Sequence, residues 1–240
     1  MQLAWFKSAD MYIGQGLVML KQHHDTAHIF EHAPTMPLDR VLESCKGLVK
    51  KGTKFNVILS SSLCSALNVQ IPASIQWPSE VSAFLSASAA RQLNVPSIQF
   101  DCAINLNSKS ENMSVVAAIP INVRTTIVEW ILKQGCSMSS LRPLWTIATQ
   151  FAACQDEKIK GLVLHEPDGS ILLIETKNDE VRTMSWRGQL STETMRSNLH
   201  RAIVSFDMVE QSILSLQFST KPKNLMANPP TVWRKHWAVI

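Results

Sequence analysis

Phe55-Asn56-Val57-Ile58-Leu59-Ser60-Ser61-Ser62-Leu63-Cys64-Ser65-Ala66-Leu67-Asn68-Val69-Gln70-Ile71 is the stretch on which the fold turns. Phe55 to Leu59 is an apolar run with β-branched residues and reads as a buried strand; Ala66 to Ile71 reads as a second, ended by Pro72. The serines between them read as a polar bend. Outward from here, Pro78-Ser79-Glu80 opens a helix to about Leu93, because proline and an acid suit a first turn and Val81, Phe84, Leu85 and Ala89 fall on one face. Ile98 to Leu106 and Met113 to Pro120 are expected strands, joined by a polar loop at 107–112. A helix follows, with Asn122 as its cap, an apolar stripe at Ile127, Val128, Ile131 and Leu132, and Gly135 as the left-handed residue that ends it. Residues 55–135 thus read strand, strand, helix, two strands, helix.

Toward the N-terminus, Met11 to Leu20 and Ala27 to His32 are two β-like runs around the polar patch Lys21-Gln22-His23-His24-Asp25, a hairpin spacing. Leu38 to Val49 carries apolar residues at a helical period and closes on Lys50-Lys51-Gly52, cations and a glycine that suit a helix C-terminus. Toward the C-terminus the alternation repeats. A short segment reaches Arg142, and a helix spans about Pro143 to Cys154. Strands at Gly161–Leu164, Ser170–Thr176 and Val181–Trp186, with a turn at Asp168-Gly169, form an antiparallel meander. A helix capped by Ser191 runs to about Val209, and Ile213–Phe218 is a last strand.

With 240 residues and 45% apolar composition the chain can bury a large core, as one domain or two lobes. A charged fraction of 18% and a net charge of +4 announce no nucleic-acid groove and no charged tail. Five dispersed cysteines without a C-x-x-C pair fit reduced, mostly buried thiols. Lys7 and Asp10 interrupt the first twenty residues, so no signal peptide is expected, and no run reaches the roughly 18 apolar residues of a membrane span.

Three segments invite a chemical reading. His28-Ile29-Phe30-Glu31-His32 formally matches H-x-x-E-H, with His23 and His24 near, but that metal chemistry needs its histidines one turn apart on a helix and this segment is β-like and cut by Pro34. A solvated hairpin is the expectation, with no metal. Ser60, Ser61 and Ser62 are not in a nucleophile elbow. Glu166 and Asp168 form a possible carboxylate pair, yet turn chemistry accounts better for Asp168-Gly169. Trp145, Met184 and Trp186 read as core.

From Lys221 the composition changes. Pro222, Pro229 and Pro230 exclude regular structure and favour an extended linker. Trp233 and Trp237 then flank Arg234 and Lys235, directly before Ala238-Val239-Ile240. Amphipathic rings suit headgroup depth and basic residues suit the cytoplasmic side of a span, so these four residues read as a membrane interface, with a transmembrane helix expected beyond Ile240.

The element order, the inserted block and this tail resemble the cytoplasmic actin-like domains of the PilM and GspL families, of type IV pilus and type II secretion inner-membrane platforms. Asn224-Leu225 with the Trp233–Trp237 segment matches the GspL outline, and the resemblance rests further on the element order and on the runs at 56–62 and 113–120. The resemblance implies an α/β, degenerate actin-like (RNase H-like) two-lobed fold. Residues 1–135 would form the first lobe, with a small inserted α+β subdomain at about 57–135, residues 136–218 the second lobe, and residues 219–240 a juxtamembrane linker. It further implies a non-catalytic scaffold at the cytoplasmic face of the inner membrane. Its partners would be the assembly ATPase, sister platform proteins and a copy of itself.

The family's ATP-binding members have an Asp-apolar-Gly loop after the first strand, a second Asp/Gly loop in the other lobe and a late Gly-Gly pair. Here the first loop is Tyr12-Ile13-Gly14-Gln15, with tyrosine in place of the metal-organising aspartate. The second is Leu164-His165-Glu166-Pro167-Asp168-Gly169-Ser170, with a proline where a backbone donor is needed, and no Gly-Gly pair exists. The expectation is therefore no cofactor and no ATPase activity. The alternative is a PilM-type ATP-binding protein whose loops have drifted.

Overall fold

The computed structural model describes residues 8–22, 27–104, 114–153, 159–175, 181–187, 193–194, 197–198, 200–201, 212–219 and 232–239. In chain order the first elements are strands β1 (Ser8–Gly14), β2 (Leu17–Gln22) and β3 (His28–Glu31), helix α1 (Leu38–Glu43) and strands β4 (Lys54–Leu59) and β5 (Ser65–Val69). Helix α2 (Pro78–Gln92), strands β6 (Phe100–Ile104) and β7 (Ser114–Pro120), helix α3 (Ile121–Lys133), strand β8 (Ser137–Pro143) and helix α4 (Leu144–Ala153) follow. Strands β9 (Ile159–Glu166), β10 (Gly169–Glu175), β11 (Val181–Arg187), β12 (Ser212–Ser219) and β13 (Val232–Val239) follow among the described residues.

Two five-stranded sheets share one plan, β3-β2-β1-β4-β8 and β11-β10-β9-β12-β13. Each opens with an antiparallel meander, and each adds a fourth strand parallel to the first, β4 beside β1 and β12 beside β9. The fifth strands differ, since β8 runs parallel to β4 and β13 antiparallel to β12. Between β4 and α3, within the first sheet's part of the chain, is inserted the three-stranded sheet β5-β7-β6 with α2 against it.

Alternation along β1 explains the layering. Met11 and Ile13 face the first-lobe core, with Val57 of β4, Val41 and Leu42 of α1 and Ile127, Trp130 and Ile131 of α3. Tyr12, on the opposite face, joins a second core with Leu144, Trp145 and Ala148 of α4, Leu162 and Leu164 of β9 and Phe218 of β12. That second core is built from both halves of the chain, so the two sheets are packed through α4 rather than merely tethered.

Several sequence expectations are corrected. Met11–Leu20 is not one strand but the β1–β2 hairpin, turned at Gln15-Gly16. Gly16 has φ +85, and a Cβ there would meet the His32 carbonyl oxygen at 2.9 Å, so only glycine fits without strain. The helix expected to Val49 ends at Glu43, because Ser44 Oγ donates to the Val41 carbonyl at 2.6 Å and competes with the backbone ladder; a 3-10 turn at Lys46–Leu48 follows. Asn122 is not a cap, since α3 starts at Ile121 directly after Pro120.

Residues leading to Arg142 form the paired strand β8. The β9–β10 turn lies at Pro167-Asp168, one residue earlier than expected. The insertion is narrower than 57–135, spanning Ser65–Pro120, because β4 pairs with β1 and α3 returns to the first-lobe core. Finally, the segment expected to lack regular structure contains β13, whose register sets Trp233 opposite Phe218 and Trp237 opposite Leu214. The three prolines all precede this strand and so cost it no ladder bond. Of the helix expected at 191–209, only six residues are described, all helical, and the rest lies outside the described residues, as do Cys154, His23 and His24.

Candidate functional site

The first hairpins of the two sheets bring their turns together. The β1–β2 turn (Gly14 to Gly16), the bend after β4 (Ser60 to Ser62) and the β9–β10 turn (Glu166 to Asp168) converge where the two lobes meet. A buried strand feeds the serine bend, and Ser60 N–H donates to the Ile13 carbonyl at 2.9 Å, fixing the bend to the end of β1.

Asp168 reaches across this junction. Its Oδ2 accepts the backbone N–H of Gln15 at 2.6 Å, the Ser60 hydroxyl at 2.8 Å and the Ser62 hydroxyl at 2.5 Å. Gly14 permits the approach, since a Cβ there would lie 3.0 Å from the same oxygen. Glu166 binds the next donor along: its Oε2 accepts Ser61 N–H at 2.8 Å and, more weakly, the Tyr12 hydroxyl at 3.5 Å. Among the described residues Glu166 Oε1 and Asp168 Oδ1 are buried without a hydrogen-bond partner.

The electrostatics follow from the burial. Glu166 is 5% exposed, and desolvation pushes its carboxyl up to about 8; the Asp168 charge adds to the rise and the Ser61 backbone donor opposes it. Near neutral pH Glu166 therefore carries its proton most of the time, so the pair avoids placing two full negative charges side by side. Burial, then the charges of Glu166 and Asp168, raises the Tyr12 hydroxyl well above its ordinary value, so it remains a neutral donor.

A second bridge lies to one side. Asn68 of β5 donates to the Val181 carbonyl at 2.5 Å, while its Oδ1 accepts the Thr183 N–H at 2.7 Å and the Thr183 hydroxyl at 3.0 Å. One amide thereby pairs both ways with the edge of β11 and ties the insertion to the second lobe.

The structure gathers Tyr12, Gly14 and Gln15 with Ser60, Ser61, Ser62, Glu166 and Asp168. In sequence Asp168 signals only a turn and the serines only a bend; the acid-bearing β9–β10 turn corresponds to the β1–β2 turn of the first sheet, whereas the serine bend follows the fourth strand of that sheet. The histidine segment is elsewhere: His28 is exposed on β3, and His32 Nε2 lies 3.2 Å from Ser44 Oγ, so these imidazoles do not share a helix face. Trp145 is fully buried and donates from Nε1 to the Cys64 carbonyl at 3.3 Å, whereas Met184 and Trp186 are half-buried on β11. Trp233, Arg234, Lys235 and Trp237 lie in β13, on the edge of the second sheet beyond β12.

No family model matches the chain, and no curated protein matches it in sequence. Solved structures do. A Bacteroides thetaiotaomicron protein with an actin-like ATPase fold and unknown function superposes with a TM-score of 0.58 at 10% identity, covering 90% of this chain and 82% of that one. This chain has the actin-like fold. A chain of a PilM–PilN type IV pilus biogenesis complex superposes with a TM-score of 0.50 at 14% identity, over 84% of this chain and 66% of that chain. The cytoplasmic domain of EpsL, an inner-membrane component of the Vibrio cholerae type II secretion system, gives 0.49 at 9% identity over 74% and 71%.

In this actin-like chain the two segments that resemble phosphate loops, Tyr12–Gln15 and Leu164–Ser170, face each other. Backbone N–H groups and hydroxyls arranged around one point make an anion cradle. Here the anion is the protein's own Asp168 carboxylate.

Proposed function

We propose that this chain is a non-catalytic, actin-like scaffold of a type IV pilus or type II secretion assembly, which couples the assembly ATPase to the inner-membrane platform at its cytoplasmic face. The observation that carries the non-catalytic part is the Asp168 carboxylate accepting Gln15 N–H, Ser60 Oγ and Ser62 Oγ together. Those are the donors a nucleotide phosphate would need, and a phosphate entering beside Asp168 would meet like charge instead. The fold shared with a chain of a PilM–PilN type IV pilus biogenesis complex supports the pilus or secretion setting.

A scaffold has to pass force without opening. The core shared by both lobes, the carboxylate bridge and the Asn68 clamp all oppose interlobe motion. Trp233, Arg234, Lys235 and Trp237 belong to the same proposal as its membrane-proximal residues, on the strength of their composition. The test is site-specific photo-crosslinking of the full-length protein in its own bacterium. Crosslinks to the assembly ATPase and to an inner-membrane platform protein are expected. Efficient incorporation at many surface positions without a crosslink to either would overturn the proposal.

A further inference from the structure

On the face of the first sheet turned away from α1 and α3, a pocket of about 180 Å³ opens beside the Tyr12 ring. Its residues on β1, β2 and β4 alternate with those of the first-lobe core, which fixes the face. The pocket is independent of the carboxylate bridge, yet Tyr12 separates the two, its hydroxyl toward Glu166 and its ring stacked on Phe218 at 4.5 Å between centroids. Ile58 of β4 supplies one apolar wall, Leu144 and Ile147 of α4 a second, and Phe218 of β12 a third. Both lobes therefore line it.

The polar side of the pocket is specific in sign. Asp10, Asn56 and Ser140 form a row across the sheet, in which Asn56 Nδ2 donates to Asp10 Oδ1 at 3.0 Å and Ser140 Oγ donates to Asn56 Oδ1 at 3.2 Å. The Asp10 carboxylate is thereby already engaged. Lys21 on β2 and Arg142 on β8 stand at opposite ends of the pocket, and among the described residues neither belongs to an ion pair. Two cations against one carboxylate leave the pocket positive. β2 and β8 are three strand spacings apart, about 14 Å, and Arg142 lies two residues further along its strand than the level of Lys21, a diagonal of about 16 Å that two long side chains can close onto one anion between them.

We propose that this pocket binds a carboxylate carried on an apolar group about the size of a benzene ring, with Lys21 and Arg142 holding the anion and the apolar walls holding the body. An apolar cavity of about 150 Å³ accepts benzene, so the volume suits such a group. The same chemistry has two sources: a free aromatic or short aliphatic acid, or an acidic side chain next to an apolar one on a partner's segment. Since β4 and β12 both touch the occupant, binding would also fasten the lobes together.

The test is a fluorine NMR titration of the chain with 4-(trifluoromethyl)benzoate, with 4-(trifluoromethyl)benzyl alcohol as the neutral control. Saturable 1:1 binding of the acid, at least about tenfold tighter than the alcohol, is expected, as a charge-assisted pair is worth that factor. The Lys21→Gln/Arg142→Gln variant should lose that advantage while alcohol binding is unchanged. Should the double variant fail to fold, Arg142→Gln alone, at an exposed position, should weaken the acid selectively. Competition by the blocked peptide acetyl-Leu-Asp-Phe-amide assigns the site to a partner's segment, and its failure to compete assigns it to a free acid; both support the proposal. Equal affinities for acid and alcohol, an unchanged affinity in the charge variants, or no saturable binding would overturn it.

Discussion

Asp168 Oδ2 accepts the backbone N–H of Gln15 at 2.6 Å, across 153 positions of sequence and from one lobe to the other. Around it the serine hydroxyls complete a cradle that needs no ligand from outside. The carboxylate that bridges the two lobes in this actin-like chain belongs to the chain's own covalent structure.

Removing that anion should weaken the junction. Asp168→Ala leaves the Gln15 N–H and two serine hydroxyls without their acceptor, at an expected cost of about 2–4 kcal/mol. Asp168→Asn keeps the shape and one acceptor and should cost roughly half as much. Urea unfolding of the two variants beside the wild type checks the order.

Glu166 gives the junction a pH dependence of defined sign. Its carboxyl rises from an ordinary value of about 4.3 to about 8, so between those values the folded state holds the proton that the unfolded state has lost. The contribution is fully present below about pH 4, falls as pH rises, and is gone above about pH 8. Glu166→Gln cannot titrate. The wild type should lose on the order of a few kcal/mol relative to this variant between pH 5 and pH 8.5, read by thermal unfolding.

The fold was largely legible, and the junction was not, for one physical reason. Periodicity reports which face of an element is buried, so Leu85 and Ala89 of α2, or Ile127 and Ile131 of α3, declared their helices. Asp168 and Ser60 are short polar residues of the kind that turns favour anywhere, and nothing in their own neighbourhoods states that they meet 108 positions apart. β13 was hidden differently: three prolines upstream argued for a linker, while pairing to β12, a tertiary fact, made the strand.

Asn68 is predicted to hold the insertion against the second lobe. Asn68→Ala removes the acceptor of Thr183 N–H and the donor to Val181, at a cost of about 2–3 kcal/mol. Hydrogen exchange should show the Thr183 amide losing protection more than the β9 and β10 amides.

Trp145 anchors the core common to both lobes. Trp145→Ala should cost about 3–5 kcal/mol, since it opens a cavity and frees the Cys64 carbonyl. Unfolding monitored separately in each lobe should show both destabilised.

The central claim is that Asp168 fills the phosphate position, and calorimetric titration with Mg-ATP tests it most directly. The wild-type chain should give no saturable heat up to about 1 mM nucleotide. A 1:1 isotherm in the micromolar range would contradict the account.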